Sequence, residues 1–315
     1  MRRIGAIIVG LACLSAAVHA TAPAYSDFSD DSFKGVKTGM KEMKDGERPR
    51  VDYNPAKDPN AGKPSQALEW VSIPGGEFTL GSFHFSNAKP IEGKTYAIKT
   101  FDVSKTLVTV EQYAECVVKG GCTKPEDTGK YCNSDKPGRK LHPVNCVDWD
   151  QANQYAKFKG ARLLTESEYE YAARSGGKNQ KYPWGNDAPT CVDKDGKNGN
   201  VVMYGNGGYG CGNDGTMPVC SKDAGNTKIE GLPAEKQLCD MVGNVWQWVQ
   251  DKYQSSYANT PLNGSASEGS GSGRVMRGGS FGSRDAGALR ADYRYVDDPA
   301  YRSIYFGFRL ARSSR

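Results

Sequence analysis

The sequence predicts a mixed α+β domain of irregular build, with few helices, short strands and much loop. Three observations point to it. Helix-start signals are few and well separated. The hydrophobic runs around them are short and bounded by glycine. The long stretch from Gly160 to Gly279 is rich in Gly and Asn with little periodicity. A loop-heavy chain needs pins, and cysteines or calcium can supply them.

Taken in order, the first element is outside the domain. Arg2 and Arg3 precede a mostly apolar run, Ile4 to Ala17, which is too short to span a bilayer, and Val18-His19-Ala20 is a small-x-small cleavage site. Residues 1–20 therefore read as a secretion signal, and the mature chain as periplasmic or secreted. Residues 21–66 are rich in Asp, Lys, Gly, Pro and Ser, with Val51-Asp52-Tyr53-Asn54-Pro55 as the one patch able to pack. They read as a flexible N-terminal segment. The domain is placed at 67–315, beginning at Leu68-Glu69-Trp70-Val71; from there to Arg312 is about 245 residues, enough for one substantial core.

Within it, Thr109-Val110-Glu111-Gln112 is a capping box that opens a helix ending at Gly120-Gly121. Asp150 to Lys159 carries apolar residues at helical spacing and stops at Gly160. Thr165-Glu166-Ser167-Glu168 is a second capping box, opening a helix that runs to Arg174 before Gly176-Gly177. Glu166, Glu168 and Glu170 fit its first turns, where negative charge suits the helix dipole. Residues 264–273 are low in complexity and read as an exposed flexible loop.

Loss of residues 1–20 removes Arg2, Arg3 and no acid, leaving 39 basic against 36 acidic residues, a net +3. That balance favours neither nucleic acid nor a strongly acidic partner. No later segment is long and apolar enough to cross a membrane. The mature chain keeps Cys116, Cys122, Cys132, Cys146, Cys191, Cys211, Cys220 and Cys239. An even set in an exported protein reads as disulfides, although eight cysteines allow on the order of a hundred pairings. Nearest-neighbour pairing is the expectation, because short loops close easily.

Several motifs follow one another in register. They are Ile73-Pro74-Gly75-Gly76-Glu77-Phe78, Val108 to Tyr113, His142-Pro143-Val144 with Val147-Asp148-Trp149, Arg162 to Arg174, Tyr182-Pro183-Trp184-Gly185, and Val242-Gly243-Asn244-Val245-Trp246-Gln247-Trp248. The set closes with Arg277-Gly278-Gly279-Ser280-Phe281, Arg290, Arg294 and Gly307-Phe308-Arg309-Leu310. Together they resemble the formylglycine-generating enzyme (sulfatase-modifying factor) family over nearly the whole mature domain. The resemblance implies an irregular fold related to C-type lectins. Apart from the resemblance, Gly243 beside Trp246 and Trp248 suggests a tight turn with two rings in the core, and Trp184 reads the same way.

Active members of that family place two copper-binding thiols shortly after the Gly-Gly-Ser-aromatic turn. Here the interval Gly282 to Leu289 holds none: Ser283 stands near the first expected cysteine and Ala288 near the second. No copper is expected, and formylglycine generation is the reading with least support. The resemblance also implies a structural calcium held by Asp240, the carbonyls of Gly243 and Val245, and Gln247; oxygen ligands suit a hard cation. Gln247 stands where glutamate is usual, and Asp240 where asparagine is. Asn200 matches a second site loosely. The mature chain has only His84 and His142, and the latter lies in a family motif where a structural role suits it.

Two functions remain open. In the first, the closing segment is a binding surface for an unknown protein or small molecule. Its candidates are Ser283, Arg284, Asp292, Tyr293, Tyr295, Asp297, Tyr301 and Tyr305, since Tyr, Ser and Asp on a rigid frame make good contact surfaces. Many of these residues are reachable from asparagine codons by changing adenines, a signature of retroelement-diversified proteins with this fold; family members also show such residues without diversification. In the second, the chain is a periplasmic oxidase or maturation enzyme of the siderophore-chromophore type, as resemblance to relatives lacking the cysteine pair implies. Proton-transfer candidates are then Asp285, Asp292, Tyr293 and Arg294.

Overall fold

Capping decides where each of the three helices begins. The computed structural model describes residues 67–81, 94–126, 129–192, 196 and 198–314. The expected secretion signal, the segment 21–66 and His84 lie outside them. Helix α1 (Val110–Val118) starts at Thr109, whose hydroxyl accepts from the Gln112 amide while Gln112 Oε1 accepts from the Thr109 amide. Helix α3 (Glu166–Ala173) repeats the device with Thr165 and Glu168. Helix α2 (Trp149–Phe158) has a third capping box, Asp148 with Gln151, which sequence reading passed over.

The strands are short. In chain order they are β1 (Trp70–Ile73), β2 (Gly76–Phe78), β3 (Tyr96–Ile98), β4 (Phe101–Ser104), β5 (Arg162–Leu163), β6 (Trp246–Lys252), β7 (Arg274–Arg277), β8 (Arg294–Asp297), β9 (Phe306–Phe308) and β10 (Leu310–Ser313). One sheet runs β1-β4-β10-β5 and is antiparallel throughout, so the two ends of the domain meet on β4. A second runs β8-β7-β6-β9, with β6 and β9 parallel, and β2 pairs with β3. Three helices, short strands and long loops make an α+β fold, as the sequence predicts.

One core packs Val71, Ile73, Phe101 and Val103 against Tyr169, Ala172, Val249 and Val275. A second gathers Tyr113, Tyr155, Leu163, Trp248 and Phe308. Trp184 stacks on Tyr182 in a smaller third, with ring centroids 5.1 Å apart. Trp184 and Trp248 are therefore core residues, whereas Trp246 is half-buried at the surface.

Every residue of α3 is buried, which corrects the reading of its glutamates as dipole partners alone. The register of β7 and β8 pairs Arg277 with Arg294, setting two guanidinium groups side by side. They face Glu170 and Glu166, one helical turn apart: Arg277 pairs with Glu170, and Arg294 with Glu166. Glu170 also accepts from Arg174 at 3.2 Å, and Glu168 accepts from Arg162 at 2.6 Å through each of its oxygens.

All eight expected cysteines form disulfides, and the pairing is nearest-neighbour: Cys116–Cys122, Cys132–Cys146, Cys191–Cys211 and Cys220–Cys239. No helix among the described residues is long and apolar enough to cross a membrane. The disulfides suit an extracellular or secreted protein. The low-complexity stretch is held more firmly than expected. Ser267 is buried and its amide donates to Asp251 Oδ1 at 2.8 Å, while the Gly264 carbonyl accepts from the Thr165 hydroxyl at 2.8 Å.

Candidate functional site

The Gly-Gly-Ser-Phe turn after β7 organises the surface where most candidate residues gather. Gly278 has φ +98°, and a Cβ there would lie 2.6 Å from the Tyr169 hydroxyl, so a side chain is excluded by conformation and by space. The turn closes on itself: the Ser280 amide donates to Ser283 Oγ and the Ser283 amide to the Ser280 carbonyl, both at 3.0 Å. It is also stitched to its neighbours. Phe281 N donates to the Asn244 carbonyl (2.9 Å), Gly210 N to the Phe281 carbonyl (3.1 Å) and Tyr204 N to the Ser283 carbonyl (3.0 Å).

Around buried Phe281 stand four half-buried tyrosines. The Phe281 ring lies 5.0 Å from Tyr305, 5.7 Å from Tyr209 and 6.1 Å from Tyr131, and Tyr204 lies 5.5 Å from Tyr209. Exposed Arg284 lays its guanidinium 3.6 Å over the Tyr204 ring. Tyr131 donates its hydroxyl to Asp214 at 3.0 Å, and burial followed by that bond raises its pKa. A second group adjoins the first, where Trp246 N donates to the Tyr305 carbonyl at 2.7 Å. There Tyr295 and Tyr293 lie 5.5 and 6.0 Å from the half-buried Trp246 ring.

The predicted residues thus divide. Ser283, Arg284 and Tyr305 belong to the Phe281 surface, and Tyr293 and Tyr295 to the Trp246 group. Tyr301 is 55 % exposed and sits edge-on to Phe306. Asp297 is half-buried, and its carboxylate accepts from the Asp298 amide at 2.8 Å. Asp292 is a correction: it is 1 % exposed, its carboxylate takes Arg290 Nε at 3.0 Å, and its carbonyl takes Arg277, so it presents nothing to a ligand. Arg294 is likewise committed to Glu166, which removes both residues from the proton-transfer candidates.

Tyr131, Tyr204 and Tyr209 were missed. They lie in aperiodic, glycine-rich sequence, and disulfides bring them in: Tyr131 adjoins Cys132, and Tyr204 and Tyr209 lie within the Cys191–Cys211 loop. Tyrosines inside or beside short cystine-closed loops were the one available signal.

The expected calcium ligands lie along residues 240–247, which include a turn where Gly243 has φ +77°. Asp240 is buried, and its pKa is raised to about 6 because desolvation outweighs the Cys220 amide, the Arg309 charge and Asn244. An under-neutralised buried carboxylate suits a cation. Gln247 does not fit as placed. Its Oε1 accepts from Arg309 Nε at 2.7 Å, and its Nε2 donates to the Asp240 and Met241 carbonyls. Asn200 is engaged with Thr190 and Ala188. His142 is structural: buried, it accepts from Thr216 at 2.8 Å and Arg139 at 3.1 Å, and burial, then the Arg139 charge, lowers its pKa to about 4. A cavity of about 940 Å³ opens elsewhere, lined by Lys105 and the loop closed by Cys220–Cys239.

The sequence pattern of the sulfatase-modifying factor enzyme 1-like domain matches residues 56–314. The formylglycine-generating enzyme of Streptomyces coelicolor is 28 % identical over 304 residues, covering 81 % of this chain and 92 % of that protein. The hercynine oxygenase of Mycolicibacterium thermoresistibile is 32 % identical over 182 residues, 54 % of this chain and 35 % of that longer protein. Among solved structures, PvdO from Pseudomonas aeruginosa matches with a TM-score of 0.59 and 28 % identity, covering 81 % of this chain and 100 % of that one. With a family pattern that spans most of its length and a fold shared with PvdO, the chain belongs to the formylglycine-generating enzyme (sulfatase-modifying factor) family.

Proposed function

We propose that this chain is a periplasmic or secreted family member that binds a ligand or partner on the tyrosine-rich surface around Phe281, without copper. The observation that carries the reading is the ring set: Tyr131, Tyr204, Tyr209 and Tyr305, half-buried, with Tyr204 and Gly210 tied by backbone bonds to the Ser280–Ser283 turn, the Tyr305 carbonyl to the Trp246 amide and the Tyr131 carbonyl to Asn145. Tyrosine on a fixed frame offers large contact area at little entropic cost. Every cysteine among the described residues is in a disulfide, which leaves no thiolate pair in the closing segment. A calcium ion would serve structure only. Asp240 and the Gly243 and Val245 carbonyls would hold it, bracing the turn whose Asn244 carbonyl receives Phe281.

Peptides selected from a displayed library on the purified protein test the reading. They should lose binding to Tyr209→Ser and Tyr305→Ser, and keep it for Val118→Ser at the far end of α1. Peptides that bind all three variants alike would overturn it, as would aldehyde formation on a sulfatase-type cysteine peptide.

A second reading is a maturation oxidase of the siderophore-chromophore type, supported by the similarity to PvdO and to an oxygenase. Asp285 and Tyr293 are then the groups placed to handle a proton. Asp285 is exposed, and Tyr293 is half-buried with its pKa raised by burial and by the Asp285 charge. Oxygen uptake with an aromatic peptide, lost in Asp285→Asn, would support this reading over the first.

A further inference from the structure

We infer that the Phe281 surface selects ligands in which an aromatic ring is joined to a carboxylate, and that Arg284 reads the carboxylate. The inference rests on the binding reading above and names the ligand class for that site.

The argument starts from charge. The acidic groups around the rings are already engaged. Asp214 takes Lys130 at 2.6 Å and the Tyr131 hydroxyl at 3.0 Å. Asp285, next in sequence to Arg284, turns its carboxylate to the Gly287 amide at 2.9 Å and caps a short 3-10 turn. Arg284 has no ion pair or hydrogen bond among the described residues, yet it is not loose. Its guanidinium is stacked at 3.6 Å on Tyr204, whose own amide is tied to the Ser283 carbonyl.

A guanidinium stacked on a ring keeps its planar edge of N–H donors free. That edge matches a carboxylate through two parallel bonds, and stacking means that little side-chain freedom is lost when they form. Beside it, Tyr204 touches Tyr209, and Tyr209 touches Phe281 and Tyr305. A ligand ring laid on Tyr209 and Tyr305 therefore has a fixed cation one ring away. Tyrosine faces alone would not tell a neutral aromatic from an acidic one; Arg284 would. The acid has two sources, a free chain terminus next to an aromatic residue or an acidic side chain beside one inside a peptide.

The test is an NMR titration of the disulfide-intact protein with three probes. These are N-acetyl-phenylalanine, N-acetyl-phenylalaninamide and a phenylalanyl-glutamate dipeptide capped at both ends. We expect the acids to bind about tenfold tighter than the amide, the usual advantage of a charge-assisted bond. The preferred acid identifies the source. In Arg284→Gln the ratio of acid to amide affinity should fall to about one, and Arg284→Lys should restore part of it, since the planar fork is lost. Equal binding of acid and amide to the unaltered protein would overturn the inference and leave the aromatic surface standing. Failure of all three probes to shift the Phe281 and Gly210 amides would overturn both.

Discussion

Arg294 grips Glu166 with two parallel hydrogen bonds, Nε to Oε1 at 2.8 Å and Nη2 to Oε2 at 2.7 Å, with each side chain 2 % exposed. The pair fastens β8, and with it the Tyr293–Tyr295 group, to α3. A buried pair is weak evidence of net stabilisation, but breaking one side of it strands a charge. Arg294→Met should therefore cost about 3–5 kcal/mol. The double variant with Glu166→Leu should recover most of that loss. Urea unfolding measures both; a single variant within about 1 kcal/mol of the parent would mean that the carboxylate finds another partner.

The calcium ion proposed at Asp240 predicts a particular pH dependence. The carboxyl titrates near 6 in the folded protein against an ordinary 3.8, so the ion-free fold binds the proton more readily than the unfolded chain. Stability without calcium should then fall as pH rises from about 4 through about 6. Calcium should cancel that fall, because it keeps the carboxylate ionised and compensated. Melting temperatures with calcium and with EDTA should diverge above pH 6 and converge below it, and Asp240→Asn should remove the divergence. Superimposed curves would show that Arg309 alone serves as the counter-charge.

What the sequence disclosed depended on how far apart the partners lie. The Thr109 and Thr165 capping boxes span three residues and were legible; Asp148 with Gln151 was equally local but overlooked. The disulfides were readable because each joins nearest neighbours. The Arg294–Glu166 and Arg277–Glu170 pairs join residues 128 and 107 apart, and nothing local announces them. The site followed the same rule. Ser283, Arg284, Tyr293, Tyr295 and Tyr305 lie along one segment and were found. Tyr204 and Tyr209 reach it inside a cystine-closed loop, and Tyr131 from beside Cys132. Asp292 was misplaced because it was grouped with the half-buried Tyr293 and Tyr295, whereas it continues the buried run Leu289 to Ala291 and its carboxylate is taken by Arg290.

His142 should make the protein acid-sensitive in the opposite sense to Asp240. Its pKa is about 4 in the fold against an ordinary 6.5, so the unfolded chain takes the proton first. Its contribution is complete above 6.5 and is lost as pH falls towards 4, at up to about 1.4 kcal/mol per pH unit. Measured in the Asp240→Asn background, where that carboxyl no longer titrates, His142→Asn should flatten this slope. An unchanged slope would assign the acid sensitivity to another group.

The Cys191–Cys211 bond should matter to the site as well as to the fold. Its loop spans 20 residues and carries Tyr204 and Tyr209. Loop-closure entropy for that length is about 3 kcal/mol, and Cys191→Ala with Cys211→Ala should cost about that much. The paired control is Cys116→Ala with Cys122→Ala, which opens a loop of only 6 residues at the end of α1. The first variant should speed hydrogen exchange at the Gly210 amide, which donates to the Phe281 carbonyl, and at the Cys211 amide, which donates to Met203. The control should leave both protected. Equal protection in the two variants would mean that packing against Phe281, rather than the disulfide, holds the tyrosines in place.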